Sequence, residues 1–300
     1  MHDYLVKAYA FDGLARVYGA KTTDLVEEAR IMHDTWPAAT AALGRVLTAS
    51  VIMGAMYKGD MELSIRIDGN GPINGIVATT NAKGQVRGYV GNPHVHMSTT
   101  NDKLAVDAVV GNAGFLHVTK NLKVRDIYTS SSALQTGEIG DDFTYYFASS
   151  EQIPSSVGLG VLVNDDNSVL AAGGFILQLL PGAQTKAGLI EEIESRIKTL
   201  RPVSDMIHDG YTPEMIINEI TKGKHEFVEY LDLEYACDCS KERFAKGLIS
   251  LGKDELNLMI DENKPIETVC HFCQKKYLFS VDELKSFIND CSLISDKTKL

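Results

Sequence analysis

The sequence is poor in features that would place it in several common classes of protein. It has 300 residues, with one tryptophan, eight prolines and five cysteines. We find no apolar run of the roughly 18 residues that a membrane-spanning helix needs. Residues 1–7 lack the basic start and apolar centre of a signal peptide. We therefore expect a cytoplasmic protein with no membrane partner, large enough for one main core and a second, smaller domain.

Positive charge is also scarce. The formal net charge is −11 at pH 7, and acidic side chains outnumber basic ones in residues 231–300. Proteins that bind nucleic acid need a basic footprint that displaces counterions from the phosphates. The charge balance therefore predicts that nucleic acid is not a partner.

Motifs of enzymatic chemistry are missing. Gly69-Asn70-Gly71 and Gly158-Leu159-Gly160 lack the third glycine of a dinucleotide-binding fingerprint, and no phosphate-binding G-x-x-x-x-G-K-[ST] loop occurs. His225-Glu226 lacks the second histidine of a zinc protease. We interpret Asp141-Asp142 as the acidic first turn of a helix rather than a catalytic pair. The sequence thus predicts that the protein is not an enzyme.

The cysteines, although few, are grouped. Four of the five lie in Cys237-Asp238-Cys239 and in Cys270-His271-Phe272-Cys273. A reducing cytosol keeps thiols free, so this grouping indicates metal or redox chemistry rather than a disulfide framework. Zinc holds four thiolates tetrahedrally at about 2.3 Å, and side chains two positions apart on an extended segment share one face. The spacing predicts one zinc ion bound by Cys237, Cys239, Cys270 and Cys273.

The flanking sequence predicts a folded module around these cysteines. Residues 266–269 and 277–279 have strand composition, which predicts a hairpin with the C-x-x-C at its tip. Ser280 and Glu283 form a capping-box pattern that opens a helix from residue 281 to about residue 288. Cys291, in that C-terminal region, lies outside the quartet.

The role of such a zinc site stays open on these residues alone. A purely structural zinc ribbon is one interpretation. The other is a redox latch, because a disulfide within C-x-C closes a small, strained ring, and strained disulfides tend to be regulatory or catalytic. A structural zinc site contributes roughly 10–16 kcal/mol, as much as the whole stability of a small domain. Removing the thiolates would then unfold the module.

The first part of the chain predicts an α+β domain with an antiparallel sheet and a buried helix. A helix capped by Thr35 and running to about Met56 is apolar almost all round, as buried helices are. Residues 61–67 alternate apolar and polar, and turns lead on to further strands, which together form an antiparallel meander. The remaining expected elements are strands at residues 11–18, 73–80, 85–90, 115–119, 157–163 and 169–180, and a helix at 139–149.

A boundary near Pro181-Gly182 opens a different kind of segment. Leu189, Ile193 and Ile197 recur at helical spacing, and Thr212-Pro213 opens another amphipathic helix. Helices this short are not stable alone, so they must dock on either the first domain or the zinc module. We predict three parts: an N-terminal domain at 1–180, a helical linker at 181–230 and a zinc domain at 231–300.

The whole chain resembles the thirty-three-kilodalton heat-shock protein family, the redox-regulated holdase chaperones of bacteria. The C-x-C and C-x-x-C pairs stand at the family's spacing and are the most specific feature. Other segments that carry the resemblance are Phe11-Asp12-Gly13, Ala42-Leu43-Gly44-Arg45, Gly88-Tyr89-Val90-Gly91-Asn92-Pro93, Glu151-Gln152-Ile153-Pro154-Ser155, Ala171-Ala172-Gly173-Gly174-Phe175 and Gln178-Leu179-Leu180-Pro181-Gly182-Ala183.

The resemblance implies a mechanism. The reduced protein would hold zinc on the four thiolates and be inactive as a chaperone. Peroxide with mild unfolding, or hypochlorite, would pair Cys237 with Cys239 and Cys270 with Cys273, and zinc would leave. The module and linker would then lose order, expose apolar surface, form homodimers and hold unfolding client proteins without ATP during oxidative stress.

Two other functions compete with this expectation. A zinc-ribbon regulatory protein with a purely structural zinc would bind a partner in its reduced form, although the net charge argues against nucleic acid. A thiol–disulfide oxidoreductase would need one exposed, low-pKa thiolate, which four zinc-bound thiolates do not offer.

Overall fold

The computed structural model describes residues 2–95, 97, 104–121 and 127–295, and the side chains of 289–295 are outside the description. The chain divides into two compact units, residues 1–236 and 237–300. The sequence-based division at 180 and 230 stays a prediction. The α+β class is confirmed, with antiparallel sheets, helices and a cluster of four cysteines.

The first unit contains groups of consecutive strands separated by helices. Its elements are β1 (Tyr4–Ala10), β2 (Ala15–Lys21), α1 (Thr23–His33), α2 (Pro37–Gly54), β3 (Glu62–Asp68), β4 (Ile76–Asn81), β5 (Gln85–Val90), α3 (Val106–Val110), β6 (Phe115–Asn121), β7 (Tyr128–Ala133), α4 (Gly140–Ser149), β8 (Ser155–Val163), β9 (Val169–Leu179), α5 (Leu189–Lys198), α6 (Val203–His208), α7 (Pro213–Thr221), β10 (His225–Asp232) and β11 (Glu234–Tyr235).

One sheet of the first unit has the strand order β10-β1-β2-β9-β8 and is antiparallel throughout. The predicted strand at residues 11–18 is wrong at its start, because Phe11, Asp12 and Gly13 have positive φ and form the turn between β1 and β2. The helix predicted at 139–149 and the strands predicted at 157–163 and 169–180 are confirmed as α4, β8 and β9.

The other sheet has the order β11-β5-β4-β3-β6-β7. It contains the predicted meander, since β3 pairs antiparallel with β4, and β4 pairs antiparallel with β5. The predicted strand at 115–119 is β6, which pairs with both β3 and β7.

Helix α2 forms the centre of the main core and contacts both sheets. It begins one residue later than predicted, with Trp36 in the N-cap position and Pro37 in the first turn, while Thr35 Oγ1 lies 2.7 Å from Thr40 Oγ1. Helix α2 is long and apolar enough to span a membrane by length and composition alone, so the expectation that no such run exists is wrong. However, 89% of that window is buried inside the protein, as in the core helix of a globular domain.

Helices α5, α6 and α7 pack on the face of the five-stranded sheet opposite α2. They form a second core with β1, β2 and β9, in which Ile216, Ile217 and Ile220 are completely buried. Of the two docking surfaces that the sequence left open, these helices use the first. Helix α7 comes close to the sheet at Gly19 of β2, where a Cβ atom would lie 2.9 Å from Pro213 O.

The second unit is smaller. It contains α8 (Lys241–Ser250), α9 (Lys253–Asp261), β12 (Ile266–Val269), β13 (Lys276–Phe279) and α10 (Val281–Ser295). The predicted hairpin is confirmed, since β12 and β13 are antiparallel. The predicted capping box is also confirmed: Ser280 N–H donates to Glu283 Oε2 at 2.8 Å, and Glu283 N–H donates to Ser280 Oγ at 3.2 Å. Among the side chains that the structure describes in this unit, the core consists of five that are buried, Leu248, Leu256, Tyr277, Phe279 and Leu284.

Candidate metal centre

Two segments of the second unit carry the four cysteines. Cys237 and Cys239 lie in a segment without regular structure that ends at α8, where Ser240 is the N-cap and its Oγ accepts the Arg243 N–H at 3.3 Å. Cap residues of this kind fix where a helix starts. The position of Cys239, directly before the cap, is therefore set by the start of α8.

Cys270 and Cys273 lie in the turn that joins β12 to β13. Gln274 N–H donates to Cys270 O at 2.8 Å, and Cys270 N–H donates to Lys275 O at 3.0 Å. The turn closes through Gln274, whose φ is +56°. This tight geometry directs both thiols of the pair to the same side, where the first pair meets them.

The four sulfurs converge on one point. Their atoms all lie within 4.8 Å of one another, with Cys239 Sγ 3.3 Å from Cys273 Sγ and Cys237 Sγ 3.7 Å from Cys270 Sγ. Ligands about 2.3 Å from a tetrahedral metal are about 3.8 Å apart. All four cysteines are free thiols. The donor set and its spacing thus fit a metal ion of the zinc type, held by the four cysteines that the spacing predicts.

Backbone amides support two of the sulfurs. The N–H of Cys239 hydrogen bonds to Cys237 Sγ, and the N–H of Lys275 hydrogen bonds to Cys273 Sγ. Each donor stands two residues after its cysteine, so the two segments use the same local arrangement. Such hydrogen bonds stabilise a thiolate in preference to a thiol.

The thiols perturb one another's ionisation. Burial raises the pKa of Cys237 and, more strongly, that of Cys273, against the hydrogen bonds from the backbone. Burial alone would also raise the pKa of Cys239, but hydrogen bonds from Tyr277 and the other cysteines lower it to about 7. Four thiols this close cannot all ionise without a cation between them. The cluster is therefore arranged to receive a positive ion.

Tyr277 is a residue of the centre that sequence reasoning missed as a functional residue. It lies in β13, and its hydroxyl is 3.2 Å from Cys239 Sγ and donates to Cys239 O at 2.9 Å. The hydrogen bond with Cys239 raises the pKa of Tyr277. The available signal was its place four residues after Cys273, on the first strand to leave the turn. Cys291 lies in α10, and its side chain is outside the described residues.

Comparison with known proteins places this fold and centre in one family of chaperones. The family model described as "Hsp33 protein" matches residues 3–280. A "33 kDa chaperonin" of Bacillus pumilus is 53% identical over 284 residues, which are 94% of this chain and 97% of the relative. The "33 kDa chaperonin" of Bacillus subtilis is 52% identical over the same shares, 94% of this chain and 97% of the relative. The chain therefore belongs to the Hsp33 family.

A solved structure agrees with this assignment. The crystal structure of the 33 kDa chaperonin, a heat shock protein 33 homolog from Thermotoga maritima, has a TM-score of 0.89 and 34% sequence identity. The match covers 97% of this chain and 99% of the Thermotoga chain. The family resemblance drawn from the sequence is thus confirmed, and with it the assignment to the chaperones of the stress response. The relatives are named chaperonins and not enzymes.

Proposed function

We propose that this protein is a cytoplasmic, redox-regulated holdase that binds unfolding client proteins without ATP and prevents their aggregation. In the reduced protein, Cys237, Cys239, Cys270 and Cys273 hold one zinc ion and the chaperone is inactive. The observation that carries the proposal is the convergence of four free thiols within 4.8 Å in a unit with a very small apolar core.

The size of that core makes the thiols decisive for the fold of the second unit. Up to residue 288, where the described side chains end, five are buried in it, and one of them, Tyr277, contacts Cys239 directly. A unit of this size rarely gains more than about 3–5 kcal/mol from its core. Zinc, when bound, supplies the larger share, roughly 10–16 kcal/mol for sites of this kind. Loss of the thiolates would therefore leave the unit without enough stability to fold.

Oxidation by hydrogen peroxide removes the thiolates. One thiolate attacks a peroxide oxygen and the O–O bond breaks. This step gives a sulfenic acid and releases hydroxide. The second thiolate attacks that sulfur, the S–S bond forms, and a second hydroxide leaves. Each pair gives up two electrons, and the peroxide is reduced to two water molecules after protonation. We propose the pairs Cys237 with Cys239 and Cys270 with Cys273, whose neutral disulfide sulfurs no longer suit the metal.

The reduced geometry opposes this pairing. Two close sulfur contacts join the two segments, 3.3 Å between Cys239 and Cys273 and 3.7 Å between Cys237 and Cys270. Both proposed disulfides lie within a segment instead. Each cysteine must therefore turn away from its neighbour across the centre before it can pair. Oxidation of the folded unit is slow for this reason, and mild unfolding conditions accelerate it.

The surface under α5, α6 and α7 is our candidate for client binding. The helices and the sheet bury a continuous apolar cluster that includes Phe11, Phe175, Leu177 and Ile193. Apolar patches larger than a few hundred Å² are rare on monomeric proteins and mark interaction sites. Release of these helices would expose such a patch on an acidic chain. Clients and a second copy of the active chain would compete for it, which accounts for dimer formation on activation.

The experiment that tests the proposal follows zinc, thiols and clients in parallel. Zinc content and free thiols are counted before and after peroxide at mildly raised temperature, while light scattering records the aggregation of a heat-unfolding client. We expect the loss of one zinc and four thiols to coincide with suppression of aggregation, and reductant to reverse both. Retention of zinc with unchanged scattering would instead support a regulatory zinc ribbon, in which the metal is purely structural.

A further inference from the structure

Tyr277 touches one cysteine of the centre at two points. Its hydroxyl donates to Cys239 O at 2.9 Å and lies 3.2 Å from Cys239 Sγ. The side chain is buried, and its ring packs on Phe244 with 5.1 Å between the centroids. The strand pairing sets the height of the ring, since Thr268 of β12 stands opposite Tyr277 and donates to its carbonyl at 3.4 Å. The hydroxyl is thus held in place independently of the sulfur that it contacts.

We propose that Tyr277 is a positioning residue that holds the Cys239 sulfur toward Cys273 and so delays its pairing with Cys237. This inference rests on the proposed function, because it concerns the rate at which the redox centre changes state. Both groups of this contact belong to the chain, and hydrogen peroxide is the only added reactant that the oxidation needs. Two thiols become a disulfide, and peroxide becomes two waters, as described above.

The geometry gives the reason. A hydroxyl that contacts both the carbonyl and the sulfur of one residue fixes its backbone and its side chain together. Cys239 Sγ, held in this way, lies 3.3 Å from Cys273 Sγ. Rotation of Cys239 toward Cys237 moves the sulfur away from the hydroxyl and breaks that contact. That contact must therefore be lost before the Cys237–Cys239 disulfide can form.

Cys239 also differs from its neighbours in the kind of group that contacts its sulfur. The sulfurs of Cys237 and Cys273 accept backbone N–H groups, which no substitution of a side chain removes. The Cys239 sulfur is contacted by a side-chain hydroxyl instead. Residues that orient metal ligands in this way commonly change metal affinity 10- to 100-fold when they are replaced. One atom of Tyr277 can therefore be deleted to test its effect on a single cysteine.

The variant is Tyr277→Phe, which removes the hydroxyl and keeps the ring on Phe244. With hydrogen peroxide and the full-length reduced protein, mass spectrometry follows each disulfide separately. We expect the Cys237–Cys239 disulfide to form about tenfold faster than in the wild type, the effect of losing one hydrogen bond. The rate for Cys270–Cys273 should change less. Zinc affinity, measured by competition with a chromogenic chelator, should fall roughly 10- to 100-fold.

Two controls separate positioning from packing. Phe244→Leu disturbs the ring contact and keeps the hydroxyl, and Tyr230→Phe removes a hydroxyl from β10, where the side chain is 58% exposed. Equal acceleration of both disulfides in Tyr277→Phe, an unchanged Cys237–Cys239 rate, or the same effect in Phe244→Leu would each overturn the proposal.

A measurement on the wild type covers the case in which Tyr277→Phe does not fold. In the reduced protein, the Tyr277 hydroxyl proton should exchange slowly with water and show a nuclear Overhauser contact to the Cys239 β protons. A rapidly exchanging hydroxyl without that contact overturns the proposal. No client is present in any of these measurements, so failure of the holdase function and failure of the Tyr277 inference remain distinguishable.

Discussion

The addition of a single Cβ atom can weaken the docking of α7 on the five-stranded sheet. Gly19 lies in β2, and a Cβ atom there would be 2.9 Å from Pro213 O and 3.2 Å from Ile217 Cγ1. The φ of Gly19 is not in the left-handed region, so alanine suits the strand. Gly19→Ala therefore leaves the pairing of β2 intact and pushes α7 away from the sheet.

The expected size of the effect follows from the packing. Overpacking a well-packed contact costs about 1–3 kcal/mol. Helix α7 is held by Ile216, Ile217 and Ile220, which are completely buried and contribute roughly 1.5–3 kcal/mol each. The substitution thus weakens the docking of α7 and does not abolish it. An opening free energy lower by about 1–3 kcal/mol corresponds to amide exchange roughly 5- to 150-fold faster.

The assay is hydrogen exchange of the reduced, zinc-loaded protein, read by mass spectrometry on peptides from α7 and from the sheet. Light scattering of a heat-unfolding client, in the presence of reductant, shows whether undocking alone confers holding. The matched control is Gly140→Ala in α4, where the new Cβ would meet Val157 O at an ordinary 3.4 Å. We expect faster exchange in α7 and partial holding without oxidation for Gly19→Ala alone. Unchanged exchange in α7, or equal acceleration in all strands of the sheet, would refute the reasoning.

Three further predictions concern other parts of the molecule. Thr212→Ala removes the Oγ1 that accepts the Met215 N–H at the start of α7 and should destabilise this helix by about 1 kcal/mol. Thr212→Ser keeps the acceptor and should not destabilise it. Hydrogen exchange of α7 peptides compares the two variants. Burial raises the pKa of Asp3 from 3.8 to about 6, so this carboxyl stabilises the fold below about pH 4, and that contribution is lost as the pH rises through about 6. This pH dependence of the free energy of unfolding amounts to about 3 kcal/mol. Asp3→Asn should remove it, as measured by urea unfolding between about pH 4 and 8. A chelator under reducing conditions should abolish the calorimetric transition of residues 237–300 and spare that of residues 1–236; a single unchanged transition would contradict the proposed ligand set.

The elements that the sequence predicts well are those with one strong period. Helix α2 is apolar all round because it contacts both sheets, and β3 alternates because one of its faces is wet. The sequence analysis missed strand β1, which has no clean alternation because apolar residues lie on both of its faces. Its pairing with β10 also shifts register between Lys7 and Ala8. The missed strand β10 lies at the edge of its sheet and is mostly exposed, so it carries little hydrophobic pattern.

In the candidate centre, too, one part could be predicted from the sequence and another could not. The convergence of its four cysteines could be predicted, because a pair of thiols needs only local chain geometry and the two pairs supply all the donors that zinc takes. The contact of Tyr277 with Cys239 could not be predicted. It depends on the pairing of β12 with β13 and on where the C-x-C segment returns to that hairpin, and neither is encoded within a short stretch.

The chain between α7 and the first cysteine explains why oxidation alone would not release the helices. Strand β10 pairs with β1 along its length, and β11 pairs with β5. Two residues before Cys237, the Tyr235 hydroxyl donates to Gly88 O at 2.9 Å and accepts the Gly88 N–H at 3.3 Å. Disorder that begins at Cys237 must break these contacts first, then separate β10 from β1, before it reaches α7. Since α5 to α7 dock on the sheet of their own unit, loss of the second unit removes none of their buried contacts in the second core. We infer that activation needs a second input, such as heat, that weakens β10 and the helices directly.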